Sequence, residues 1–327
     1  MRSLFVYSLV LAGVSVCCAQ APSPVLLSAS NLSPFPLSVA PGQLLTLFVQ
    51  PATPISPITT SAVSATFSTL GADQPMPVVQ VAQTNTACDF PLAGQCSQVL
   101  AVTVQIPFGI QIYCPVCASP IVPGAQNIVI FVNGVASQSV GVQGFADQVH
   151  FLSACDVIVA GANPSLQLNG GLPCTPMVTH ADGRPVSNIL PAQAGEELVA
   201  YATGLGVTNP ALTAGQPAAQ SSPTVTAFGI DFNFRANALA TMPGAIGAST
   251  GTPLFTGATK GYIGLYQINF IVPTPPVGLQ PCVDNAAVPP PGLAVKSNLT
   301  VSVGSYYSFD GAGICVRPEP VLDPPAA

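Results

Sequence analysis

With 36 prolines among 327 residues, the chain meets one about every nine positions, which leaves little room for long helices. Proline has no amide hydrogen to donate, and its ring clashes with the carbonyl four residues back, so each one ends or bends a helix. Another 29 glycines add turn geometry and weaken helix interiors. Beyond the N-terminus no segment sustains an apolar period of 3.6 residues. The expectation is an all-β chain of many short strands joined by Gly/Pro turns.

Period-two alternation locates several strands. Within 224–234 it places Phe228, Ile230, Phe232 and Phe234 on one face. Within 266–272 it places Tyr266, Ile268, Phe270 and Val272 on one face, with Gln267 and Asn269 on the other. Leu299, Val301 and Val303 alternate with Thr300 and Ser302. Asn133-Gly134 lies between the apolar runs Asn127–Val132 and Val135–Val142. That dipeptide predicts a hairpin, because both turn residues must take positive φ.

Three stretches recur in the same order along the chain. Pro41-Gly42-Gln43-Leu44-Leu45-Thr46-Leu47-Phe48 resembles Ala194-Gly195-Glu196-Glu197-Leu198-Val199-Ala200-Tyr201. Leu100–Pro107 resembles Tyr266–Pro273, and the segment around Gly134 parallels that around Gly304. The offset grows from match to match, as it does when loops are inserted between corresponding strands. The reading is two tandem β-sandwiches, over 20–160 and 161–317, meeting near the Gly/Asn-rich stretch Ala160–Pro164, with a Pro-rich disordered tail at 318–327.

Residues 1–19 read as a signal peptide: Arg2, then an apolar run from Leu4 to Val16, then Cys17-Cys18-Ala19. Cleavage after Ala19 leaves Gln20 first. Val16 stands where acylation of Cys17 wants a small residue, which argues against a lipoprotein. No later run reaches the roughly 18 apolar residues of a membrane helix, so the expected location is secreted or at the cell surface. Eight cysteines remain: Cys88, Cys96, Cys114, Cys117, Cys155, Cys174, Cys282 and Cys315. An even number in an exported chain points to disulfides, although eight admit 105 pairings. Local closure favours Cys88–Cys96, Cys114–Cys117, Cys155–Cys174 and Cys282–Cys315. Cys114-Pro115-Val116-Cys117 also has redox spacing, but Pro120 and Pro123 oppose the helix that would activate its thiol. A zinc site with Cys88 and Cys96 would need a knuckle narrower than theirs. The staple is the expectation.

Within His180–Pro210 and Gly261–Pro273, four motifs follow one another: His-x-Asp-Gly, Pro-Ala-x-x-Gly-Glu, Tyr-x-x-Gly-Leu-Gly, and Gly-Leu-Tyr-Gln-x-Asn closing in Val-Pro. Together they resemble the C-terminal β-sandwich module of secreted proteins from Solibacter-type acidobacteria, over roughly His180–Val303. The first half keeps Pro41-Gly42 and lacks the Gly-Leu-Gly and Tyr-Gln pairs. The resemblance implies an exported bacterial protein with immunoglobulin-like modules and implies no reaction.

Charge excludes some partners. Six basic residues against twelve acidic ones give a net charge of −6, and the basic ones are scattered, so nucleic acid and anionic membranes find no cluster to bind. Charged residues are only 6% of the chain. For catalysis, His150 and His180 are the only histidines. His180-Ala181-Asp182 lies in a turn, where neighbours two apart rarely form a working pair. Glu196 and Glu197, adjacent in a strand, point to opposite faces. No cofactor or metal is expected, and no enzymatic role. Gln267 and Asn269 form a candidate polar binding strip, with a solvent face or a satisfied amide pair as the plainer reading. Tyr306 and Tyr307 are a candidate aromatic pair for sugar, in a chain without tryptophan. The function expected is a structural or adhesive module for an extracellular protein or glycan. A carbohydrate- or cell-wall-binding accessory module is the alternative, and a secreted enzyme a distant third.

Overall fold

The computed structural model describes residues 23–29, 37–69, 72–84, 98–113, 126–154, 156–160, 175–187, 189–234, 248–275, 296–303, 306–307 and 312–317. The leader, the tail, most of the Ala160–Pro164 junction and seven of the eight candidate cysteines (Cys88, Cys96, Cys114, Cys117, Cys155, Cys174 and Cys282) lie outside them. Among the described residues the regular structure is strand, apart from a 3-10 turn at Thr60–Ala62 and the four-residue helix α1 (Val157–Ala160).

Four sheets form. Sheet I runs β1 (Val25–Ala29), β3 (Leu44–Gln50), β7 (Val99–Gln105), β6 (Val78–Thr84). Sheet II runs β2 (Leu37–Val39), β10 (Val140–Gly144), β8 (Gln126–Val132), β4 (Val63–Thr69), β5 (Ala72–Met76), with β9 (Val135–Ala136) hairpinned onto β8. Sheet III runs β11 (His150–Phe151), β13 (Glu197–Thr203), β18 (Tyr266–Ile271), β17 (Phe255–Ala258), β14 (Ser222–Pro223), with β12 (Val178–His180) also on β13. Sheet IV runs β16 (Ala248–Gly251), β15 (Gly229–Asn233), β19 (Lys296–Val303), β20 (Tyr306–Tyr307), with β21 (Ala312–Cys315) also on β19.

The inward faces follow the alternation. Leu45, Leu47, Leu100, Val102 and Val104 of sheet I pack with Phe67, Ile128, Ile130 and Val142 of sheet II. Leu198, Tyr266, Ile268 and Phe270 of sheet III pack with Ile230, Phe232, Leu299, Val301 and Ile314 of sheet IV. The Phe232 and Phe270 rings meet across the second core at 5.6 Å. Full burial of one such side chain is worth about 1.5–3 kcal/mol, so these two clusters supply most of the driving force.

The recurring sequence stretches occupy corresponding places. Gly42 N–H donates to the Ile106 carbonyl (3.0 Å), and Ile106 N–H donates to that of Gln43 (2.8 Å). Gly195 and Val272 N–H do the same with the Val272 and Glu196 carbonyls, at 2.8 and 2.9 Å. Thr46 lies opposite Thr103 as Val199 lies opposite Asn269. The order β12-β13-β18-β17 reproduces β1-β3-β7-β6, and β21-β19-β15-β16 reproduces β10-β8-β4-β5. Ala192 bridges Val316 in parallel, as β2 runs parallel to β10.

Two strands differ from their sequence reading. The strand expected from Thr224 starts only at Gly229. Residues 222–224 are held at the edge of sheet III, where Thr224 Oγ1 bonds Thr256 Oγ1 (2.8 Å), so the chain must cross between sheets before β15. Val135–Val142 is broken at 137–139 because Ser137 Oγ accepts the Ile130 N–H (3.1 Å) and interrupts the ladder. The hairpin itself forms, with Asn133 at φ 50° and Gly134 at φ 79°.

All seven residues of β7 are buried. Of its outward residues, Ala101 and Gln105 meet the later part of the chain, and Thr103 bonds Thr46. Val157 of α1 packs on Ala82, Ala101 and Phe48. Gly215 N–H donates to Gln105 Oε1 (2.7 Å). Beside this contact a side chain on Gly264 would reach Leu44 at 2.8 Å, and one on Gly204 would reach the Gln148 carbonyl at 2.0 Å. Gly206 makes the same kind of demand: φ is +82°, and a Cβ would fall 2.3 Å from the Ala146 oxygen.

Gly206→Ala and Gly183→Ala separate the two costs. Gly183 has a similar φ of +85° with open space around it, so its substitution should cost only the left-handed penalty of roughly 1–2 kcal/mol. Gly206→Ala should cost at least about 3 kcal/mol, since a backbone must also move. Denaturant unfolding of both variants would decide it; equal losses would mean that the close approach contributes nothing.

Candidate functional site

The histidine and acid that sequence placed in separate motifs are joined in the fold. His180, 6% exposed at the end of β12, has Nδ1 bonded to Glu196 Oε1. Its Nε2 donates to the Leu190 carbonyl at 3.2 Å. Glu196 Oε2 accepts the Gln193 N–H at 2.9 Å. Three chain segments are thereby clasped around one buried ring. Asp182, the neighbour that sequence weighed as an orienting acid, instead binds Arg184 through its Nε (2.6 Å) and N–H (3.0 Å) at the surface. Those Arg184 bonds hold the Asp182 carboxyl below its ordinary range. The first unit uses the same turn device without charge: Gln43 Oε1 accepts the Ala40 N–H at 2.8 Å.

His150 forms a second cluster where the chain enters sheet III. Its Nε2 lies 3.0 Å from Asp156 Oδ1, while Asp156 Oδ2 accepts Ser153 N–H (2.6 Å) and Oγ–H (2.9 Å). Serine and histidine both address the carboxylate, so this is not the relay order of a nucleophilic triad. Burial pushes the Asp156 carboxyl up, and the hydrogen bond and charge of His150 with the Ser153 bonds outweigh it, leaving the pKa below its ordinary value. Asp231, buried on the outward side of β15 between Thr250 and Thr300, is pushed up by burial.

Tyr266, fully buried, donates its hydroxyl to the Gly206 carbonyl at 2.5 Å. Burial raises this phenol far above the ordinary tyrosine range, so it stays a donor. The Tyr-Gln motif thus ties down the Gly-Leu-Gly loop, as the His-x-Asp-Gly motif ties down the Gly-Glu turn.

The outward face of sheet III carries the candidate polar strip. Gln267 Nε2 donates to Asn269 Oδ1 (3.0 Å), and Asn269 Nδ2 donates to Glu197 Oε1 (3.1 Å). The strip is a connected amide ladder. Glu196 and Glu197 do point apart, one to His180 and the other to Asn269. Tyr201 lies opposite Gln267, and Phe255 lies opposite Asn269 on the other side. A Cβ on Gly257 would meet Phe255 Cζ at 2.5 Å, so the Phe255 ring lies over that glycine. Glu197, Tyr201 and Phe255 were not named for this face from sequence, because only the register of β13 and β17 against β18 brings them there. Tyr306 and Tyr307 belong to β20 in sheet IV, so they share no face with Gln267 and Asn269. Cys315 at the end of β21 is disulfide-bonded, with its partner outside the described residues.

No family model matches the chain, and no curated protein matches it. FdeC, an Escherichia coli adhesin, aligns over 90% of this chain and 63% of its own, at 10% identity and a TM-score of 0.19. A pullulanase from Anoxybacillus sp. aligns over 85% and 27%, at 9% identity and 0.16. The C-terminal domain of the Streptococcus agalactiae AgI/II polypeptide BspA aligns over 87% and 96%, at 9% identity and 0.17. The chain spans less than two thirds of the first two, and TM-scores this low assign neither fold nor function.

Tyr266→Phe should lower unfolding free energy by about 1–3 kcal/mol, the cost of leaving the Gly206 carbonyl buried and unpaired; no loss would show that water replaces the hydroxyl. The two perturbed aspartates should behave oppositely. The lowered pKa of Asp156 adds stability above the ordinary carboxylate range, and that stability is lost as pH falls through the folded pKa. Asp156→Asn should therefore lower the melting temperature at pH 7, and the gap should narrow at a pH below the ordinary carboxylate range. The raised pKa of Asp231 means its charge opposes folding once pH exceeds the unfolded value, so Asp231→Asn should melt higher at pH 7. Melting curves at both pH values test both signs.

Proposed function

We propose that the chain is an exported pair of tandem immunoglobulin-like β-sandwiches, stapled by disulfides, that serves as a structural or adhesive module at the cell surface and not as an enzyme. The observation that carries this is the junction between the two units. Gly264 lies against Leu44 of β3 and Gly215 bonds Gln105 of β7, and close contacts of this kind favour a stiff pair over beads on a linker. A spacer or adhesin needs that stiffness to present a surface at a fixed distance.

The immunoglobulin-like reading is supported by the strand order. Sheet I and sheet II place strands as the two sheets of such domains do, with a first strand divided between them, and sheets III and IV repeat the pattern. Membership in the acidobacterial module family is part of the proposal, supported by its motifs meeting in two contacting pairs. The titratable groups are spent on holding segments together: His180 with Glu196 and Leu190, His150 with Asp156. No helix among the described residues is long and apolar enough to cross a membrane.

Expression with the leader in a bacterial host, followed by intact mass after alkylation without reduction, should give a chain starting at Gln20 with no alkylated thiol. The same material, fluorescently labelled, should adhere to intact bacterial cells. Free thiols at Cys114 and Cys117 would remove the staple from the reading. A hydrolase activity that disappears in His180→Ala would overturn the non-enzymatic role.

A further inference from the structure

We infer that the outward face of β13, β18 and β17 is a binding platform for an uncharged polysaccharide, with Glu197, Gln267 and Asn269 as its hydrogen-bonding row and Tyr201 and Phe255 as its flanking rings. This deepens the adhesive reading above and rests on it. The corresponding face of the first unit is covered by the second unit itself. Position by position, Ala101, Thr103 and Thr46 there become Gln267, Asn269 and Val199 here. The small Ala101 of the first unit leaves room for Val157 of α1 on the sheet. The larger amides fill that space, so the second face is not shaped for another sandwich.

What it offers is a flat surface with prearranged polar groups. The ladder from Gln267 through Asn269 to Glu197 fixes each amide by its neighbour. Among the described residues, Gln267 Oε1, the second Glu197 oxygen and the Tyr201 hydroxyl keep hydrogen-bonding capacity unspent. Vicinal hydroxyls, each both donor and acceptor, match such a mixed row. Tyr201 and Phe255 stand two strands and two residues apart, a diagonal of roughly 12 Å from the spacing of strands and residues, which suits an extended chain of rings and not a single sugar. Among the described residues the face carries Glu197 and no lysine or arginine, and the chain is acidic overall, so an anionic polymer is repelled.

The test is affinity electrophoresis of the full secreted chain through gels containing a soluble neutral glucan, xylan or galactomannan, with polygalacturonate as the anionic counterpart. The chain should be retarded by at least one neutral polymer and not by polygalacturonate. Tyr201→Ala with Asn269→Ala should weaken apparent affinity at least tenfold, and Tyr262→Ala, an exposed aromatic away from this face, should leave it unchanged. If the double variant loses its cooperative melt, Gln267→Ala, at a half-buried position, is read instead. Retardation equal in variant and parent would overturn the assignment, as would none by any neutral polymer. A dimer in sedimentation that the double variant abolishes would make the occupant a second copy. Adhesion to cells without glycan retardation would sink this platform and leave the adhesive reading standing; loss of both would sink both.

Discussion

Backbone approaching backbone without an intervening side chain is the constraint around which this molecule is arranged. At Gly204 and Gly206 a methyl group would lie on the carbonyls of Gln148 and Ala146. Gln148 lies on the stretch that leads into sheet III, and its N–H donates to the Gly204 carbonyl at 2.7 Å. Thr103 and Gln105, polar residues on the outward side of β7, are buried, and the burial is tolerable because both are hydrogen-bonded. Thr46 and Thr103 share a bond at 2.8 Å, and Gln105 holds Gly42 and Gly215. An unsatisfied group there would cost about as much as several methylenes gain.

The same economy shapes the polar interior of the second unit. His180 and Glu196 lie 16 positions apart in the chain and close a loop that also sends Val186 and Ala192 into the core. Tyr266 does the corresponding work 60 positions from Gly206. In a chain with so few charges, Glu196, Asp156 and Asp182 each anchor a turn. The titratable groups that would catch attention in a search for catalysis are, in this fold, ties between loops.

Strand alternation was the legible part. The faces carrying Phe228, Ile230, Phe232 and Phe234, and Tyr266, Ile268, Phe270 and Val272, are buried as read. The correspondence of Gly42 with Gly195 and of Ile106 with Val272 holds down to individual hydrogen bonds. What escaped was anything set by register or by contact between distant elements. The burial of both faces of β7 depends on Val157 and Gly215, which reach Ala101 and Gln105 from later in the chain. Glu196 could not be assigned to His180 from sequence, since nothing local says that the Gly-Glu turn reaches β12. Of the candidate surface, Gln267 and Asn269 lie on one face as expected, while the tyrosine pair belongs to the other sheet.

The burial of β7 on both faces, against one open face on its counterpart β18, has a consequence for how the two units change over time. A substitution at Ala101 or Thr103 must satisfy a core on one side and a neighbouring unit on the other, so few residues are admissible. The matching positions, Gln267 and Asn269, answer to a core through the backbone alone and are otherwise open to selection by whatever meets that face. The two middle strands therefore differ in what they tolerate: β7 is constrained on both faces, and β18 on its inward face.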